Sequence, residues 1–92
     1  MGTDQTGTGP TGADRGDEPL RRAFAAALRA LREGRAMTQE DLAFESGVGR
    51  VSIAQMETGR RLPSLPTVFR LASGLGVPAA ELVGRVEAEG RG

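Results

Sequence analysis

Apolar residues in this chain recur at helical spacing, and no stretch alternates in the manner of a strand. Leu20, Phe24, Ala27, Leu28 and Leu31 share one stripe. Asp17, Glu18 and Pro19 stand just ahead of it, acids at the positive end of the helix dipole and a proline where its missing N–H costs nothing. A first helix is predicted from there, with its stop at Gly34. Thr38 followed three residues later by Asp41 is a capping-box pattern and opens a second helix carrying Leu42 and Ala43 inward. Gly47 then forces a sharp turn, because glycine alone takes positive φ without steric cost. Val48, Ile53 and Met56 continue the apolar spacing through a third helix, roughly Arg50 to Thr58, which stops at Gly59.

Gly59 to Ser64 contains glycine and proline and is a loop. Ser64, Pro66 and Thr67 begin a fourth helix whose inward residues are Leu65, Val68, Leu71, Ala72 and Leu75. Pro78 opens a short fifth helix using Ala79, Leu82 and Val83, and Gly84 ends the folded part. The expected organisation is a disordered tail over residues 1–17, one all-α domain over 18–84 and a flexible tail over 85–92. Residues 1–17 have no large apolar side chain after Met1 and cannot offset their ordering entropy by burial. With Arg15 as its one cation, that segment reads as a solubilising tail and not as a nucleic-acid arm.

The chain is 92 residues long, enough for one small domain. It contains 0 Cys and 0 His, which excludes disulfides, thiolate nucleophiles and the usual zinc ligands. No metal or cofactor is expected. Gly74, Gly76 and Ala79 fit the letters of a dinucleotide loop, but they follow a helical pattern where that loop needs a preceding strand. No Ser or Thr has a His or Lys to activate it, so the chain is not expected to be an enzyme. No apolar run has the length of a membrane span and no signal peptide is recognisable, which makes a soluble cytoplasmic protein the expectation.

The formal net charge is +0, yet the charges are not evenly spread. Residues 18–84 hold nine arginines against seven acids, and residues 1–17 hold Arg15 against Asp4, Asp14 and Asp17. Glu40, Asp41 and Glu45 crowd the second helix, whereas Arg50, Arg60 and Arg61 flank the third. Every basic residue is arginine, which reads as genome composition before phosphate chemistry.

Gln39, Leu42, Ala43, Gly47, Val48, Ile53, Met56, Glu57 and Gly59 resemble the helix-turn-helix of the Cro/repressor-type (XRE-type) regulators position by position. The segment RRLPSLPTVFRLASGLGVPAAELV is similar to that family's closing part, so the resemblance covers about residues 20–83. Ala36 departs from it, standing where family members often carry glycine. The resemblance implies a compact five-helix, lambda-repressor-like domain that reads double-stranded DNA with the third helix in the major groove.

Carried over by position, the resemblance nominates Arg50, Val51 and Gln55 for base contacts and Gln39 for phosphate. Arg can donate twice to guanine, Gln can pair with adenine, and Val can touch a thymine methyl. Ser52 and Thr58 are short hydroxyls able to serve base or phosphate, and are assigned to phosphate. Arg60 and Arg61, just ahead of the fourth helix's amides, suit phosphate. The resemblance also pairs Arg32 with Glu57 as a brace, worth below ~1 kcal/mol if solvated. One recognition helix reads too few bases to select a genomic site, so a homodimer on an inverted repeat is expected. Leu62, Leu65, Phe69 and Pro78 are its candidate interface. An antitoxin with a toxin partner, or a protein-binding coactivator, is the competing function on the same fold.

Overall fold

The computed structural model describes the backbone of residues 10–91 and the side chains of residues 17–91. Among the described residues there are five helices and no strand: α1 (Pro10–Gly34), α2 (Gln39–Ser46), α3 (Arg50–Glu57), α4 (Leu65–Leu75) and α5 (Ala79–Arg91). α1 lies along α5 and against α3, α2 packs on α4 and α3, and α4 meets α5. The apolar stripes converge on one core. Leu28, Leu42, Ile53, Met56, Leu71, Leu75 and Leu82 are its fully buried large side chains, with Phe24, Leu31, Val48 and Val77 around them.

Both ends of the folded region run further than the sequence predicts. The part of the expected tail at residues 1–9 lies outside the described residues, but from Pro10 onward the backbone is helical, with Pro19 inside α1 rather than at its start. Proline there leaves one intrahelical bond unmade. The end of α5 runs beside this turn, where Glu89 and Gly90 share a shallow groove with Pro19, Arg22 and Ala23. Gly84 likewise fails to end the domain. It sits within α5, and Val86, one turn beyond Leu82 on the same face, is buried in the core. Mid-helix glycine costs less than the burial of Val86 returns.

Three residues assigned inward point outward: Leu20, Leu65 and Val83 are 47%, 68% and 47% exposed. The first turn of α4 overhangs the core, and Leu62 and Val68 pack against it in the place the spacing gives to Leu65. On α5 the inward face runs through Ala79, Leu82 and Val86, which rotates Val83 to the side.

α1 ends at Gly34, as the sequence predicts, but the left-handed residue that closes it is not this glycine. The chain turns at Ala36, which takes φ 56°. The Ala36 amide donates to the Glu33 carbonyl at 2.9 Å and the Met37 amide to the Arg32 carbonyl at 3.1 Å. This is a Schellman ending with alanine in the left-handed position that glycine fills elsewhere. The glycine letters of the false dinucleotide loop are structural. A Cβ on Gly74 would stand 2.7 Å from the Cβ of Ser46 and 2.9 Å from its Cα, so glycine is what lets α4 approach the end of α2.

Candidate functional site

The α2–turn–α3 unit is fixed locally at three points. At its start the Asp41 amide donates to Thr38 Oγ1 and the Thr38 amide donates back to Asp41 Oδ2, both at 2.9 Å. At its turn Gly47 takes φ 74° and donates to the Ala43 carbonyl, while the buried Ser46 Oγ accepts from the Val48 amide at 3.1 Å. At its end the chain curls back, the Arg60 amide reaching the Gln55 carbonyl at 2.9 Å. The unit is thus closed at the start of α2, at the turn and at the end of α3, while the Gly49 N-cap leaves the first amides of α3 without a side-chain acceptor.

α1 holds α3 by its rear face. Arg32 grips Glu57 with two bonds, Nε to Oε2 at 2.6 Å and Nη2 to Oε1 at 2.9 Å, and its Nη1 donates to the Met37 carbonyl at 2.6 Å. Glu57 is 4% exposed, so the pair that the resemblance implies is formed and is buried, not solvated. Glu57's hydrogen bonds raise the Arg32 pKa against the lowering effect of burial, and the guanidinium stays charged. Arg29 Nη2 donates to the Glu57 carbonyl at 3.1 Å and Arg21 Nε to the Gly59 carbonyl at 3.2 Å. These cations cap the negative end of α3. Among the described residues, every buried side-chain nitrogen and oxygen has a hydrogen-bond partner.

The opposite face of α3 is open. Arg50, Val51 and Gln55 line one shallow depression together with Ala54, Thr58 and Arg60. Val51 is 63% exposed, an apolar side chain that the fold does not use. Ser52 turns to a neighbouring groove shared with Arg61, Ser64 and Thr67. Ser64 caps α4 there, its Oγ accepting from the Thr67 amide at 3.4 Å. Thr58 Oγ1 donates to the Gln55 carbonyl and Arg61 Nη1 to Gln55 Oε1. Gln39 differs from its sequence assignment in what it touches, since its Nε2 donates to Glu57 Oε1 at 3.1 Å and joins the brace.

Sequence reasoning passed over Ala54, Ser64 and Thr67. Ala54 has no chemistry to flag it, but it stands between Val51 and Thr58 on the exposed face, where a small side chain leaves the depression its depth. The capping pattern of Ser64 and Thr67 carried the signal that places them by the site. The arrangement offers guanidinium and amide donors, one apolar contact and hydroxyls on a convex helix, which suits a polyanion with readable edges.

Away from α3, Leu65 and Phe69 project from α4 one turn apart, and Phe69 is 58% exposed. Leu62 is half-buried in an apolar groove with Leu20, Val68, Val83 and Val86. Pro78 is exposed at the start of α5, its carbonyl accepting from the Glu81 amide.

The sequence pattern of the helix-turn-helix family matches residues 28–82. Over 60 residues the chain is 43% identical to RstR, the cryptic phage CTXphi transcriptional repressor of Vibrio cholerae, covering 65% of this chain and 54% of that one. Over 58 residues it is 41% identical to the HTH-type transcriptional regulator Rv0023 of Mycobacterium tuberculosis, and there it spans 63% of this chain but only 23% of the relative. The restriction-modification controller C.AhdI from Aeromonas hydrophila superposes with a TM-score of 0.65 at 37% identity, over 67% of this chain and 94% of the controller. The controller C.Esp1396I, solved as a tetramer with its natural 35 base-pair operator, superposes with a TM-score of 0.73 at 25% identity, over 79% and 96%.

Proposed function

Because the chain belongs to the XRE-type helix-turn-helix family, we propose that it is a cytoplasmic, sequence-specific regulator of transcription that binds double-stranded DNA and represses, its own promoter included. It acts by binding, without turnover. The observation that carries this reading is the two-sided use of α3: its rear face is locked to α1 through Glu57, and its front presents Arg50, Val51 and Gln55 side by side. A rigid helix with uncommitted donors is what base readout in the major groove requires. Arg60, Arg61, Ser52 and Thr58 rim that face and take the flanking phosphates, with the α4 amides behind them. Gln39 serves the backbone with the second hydrogen of its amide, the first being held by Glu57.

The regulator works as a homodimer that is weak when free and strengthened on an inverted repeat. The exposed apolar residues Leu65 and Phe69 on α4, with Leu62 and Pro78 at neighbouring element ends, supply the surface. The tetramer that the similar controller C.Esp1396I forms on its operator supports such an arrangement.

Selection from a random duplex pool tests the function. It should enrich an inverted repeat whose half-sites are about 34 Å apart, one helical turn. Affinity for it should fall steeply with salt as counterions are released. A pool that yields no preferred duplex would overturn the reading.

A further inference from the structure

Two arginines follow α3, and they are not equivalent. Arg61, six residues beyond Gln55, is carried back to it by the bonds that close the end of α3, the Arg60 amide to the Gln55 carbonyl at 2.9 Å among them. Its Nη1 donates to Gln55 Oε1 at 3.2 Å. Guanidinium has donors and no acceptor, so the Gln55 atom turned toward it must be the oxygen. The Nε2 of Gln55 is left pointing away, with no partner among the described residues.

That orientation decides what Gln55 can read. Pairing with adenine needs both halves of the amide: Oε1 accepts from the N6 amino group while Nε2 donates to N7. Guanine shows the major groove two acceptors, O6 and N7, and needs donors only. With Arg61 on Oε1, an incoming N6 amino group must share that oxygen with a guanidinium and meets a like partial charge beside it. Guanine O6 and N7 meet the free Nε2–H and are attracted by the same cation. The second lone pair of Oε1 remains, so the discrimination is one of degree.

We infer that Arg61 is a positioning residue for specificity, which holds Gln55 in a donor-only orientation and makes it select guanine over adenine at its base pair. The inference rests on Gln55 reading a base, as proposed above. It separates Arg61 from Arg60, which has no such contact with the reading residue and takes phosphate alone.

The test uses the full chain and four duplexes that differ at one base pair of its selected site. That base pair is the one at which Gln55→Ala abolishes preference. There the parent protein should favour guanine over adenine by about tenfold, the low end of what one base contact gives. Arg61→Ala should erase or reverse that ratio, because the freed amide can pair with adenine. Arg60→Ala should weaken all four duplexes alike and leave the ratio unchanged. If Arg61→Ala also lowers all four equally, or if the parent prefers adenine, the inference is overturned while the role of Gln55 stands. If Gln55→Ala abolishes preference at no position, the base-reading role fails and takes the inference with it. Both arginines are exposed, so neither variant threatens the fold.

Discussion

Arg32 and Glu57, twenty-five residues apart in sequence, are joined by two hydrogen bonds in a site where the carboxylate is almost wholly buried. Removing one partner strands the other charge, together with the Gln39 amide that leans on it. Arg32→Ala and Glu57→Ala are each predicted to cost ~3–5 kcal/mol, the range for breaking a buried pair. The double variant should cost far less than their sum. Denaturant melts of the four proteins measure the interaction term, and strict additivity would reduce the pair to two independent charges.

Gly74 and Ser46 set the distance between α4 and α2. Gly74→Ala pushes a methyl into the Ser46 backbone and is predicted to destabilise by ~1–3 kcal/mol, as overpacking does. Gly84→Ala, in open space within α5, should do the reverse and stabilise by ~0.5–1 kcal/mol. Equal shifts in urea midpoint for the two variants would contradict the close-approach account.

Ala36 pays for a backbone conformation that glycine takes freely. A left-handed L-residue costs ~1–2 kcal/mol, against which glycine loses ~0.4–1 kcal/mol through a looser unfolded chain. Ala36→Gly should therefore raise stability by roughly 0.5–1 kcal/mol by the same arithmetic. A lowered midpoint would show that Ala36 is unstrained.

The elements that carry their own punctuation were legible in the sequence. Thr38 with Asp41, Gly47, and Ser64 ahead of Pro66 mark starts and stops by local chemistry, and α2 and α4 begin or end there. The outer limits were not legible, because Pro19 reads as a helix start although α1 begins at Pro10, and Gly84 reads as a stop although α5 runs on along α1 to Arg91. Leu65 and Val83 fit an inward spacing, yet spacing cannot tell where a core ends. On α3, the family resemblance, carried over by position, pointed to Arg50, Val51 and Gln55, which the structure gathers in one depression. The contacts of Gln39 with Glu57 and of Arg61 with Gln55 depend on side-chain direction across a turn, which no periodicity encodes.

Phe69 and Leu65 should govern self-association and leave the core intact. Sedimentation with and without an inverted-repeat duplex is predicted to show Phe69→Ala associating roughly tenfold more weakly, as loss of an aromatic anchor gives. Its thermal stability as a monomer should be little changed, since the ring is exposed. A single protomer bound to an isolated half-site with undiminished specificity would contradict the dimer.

The claim that the front of α3 reads bases is tested most directly by comparing Arg50→Ala with the parent protein on the selected site, on single-base variants of it and on unrelated duplex. Arg50→Ala should lose ~1–3 kcal/mol on the selected site and relax preference at a defined base pair, with much smaller loss on unrelated DNA. Equal loss on every duplex, with base preference intact, would make Arg50 a phosphate contact and contradict the account.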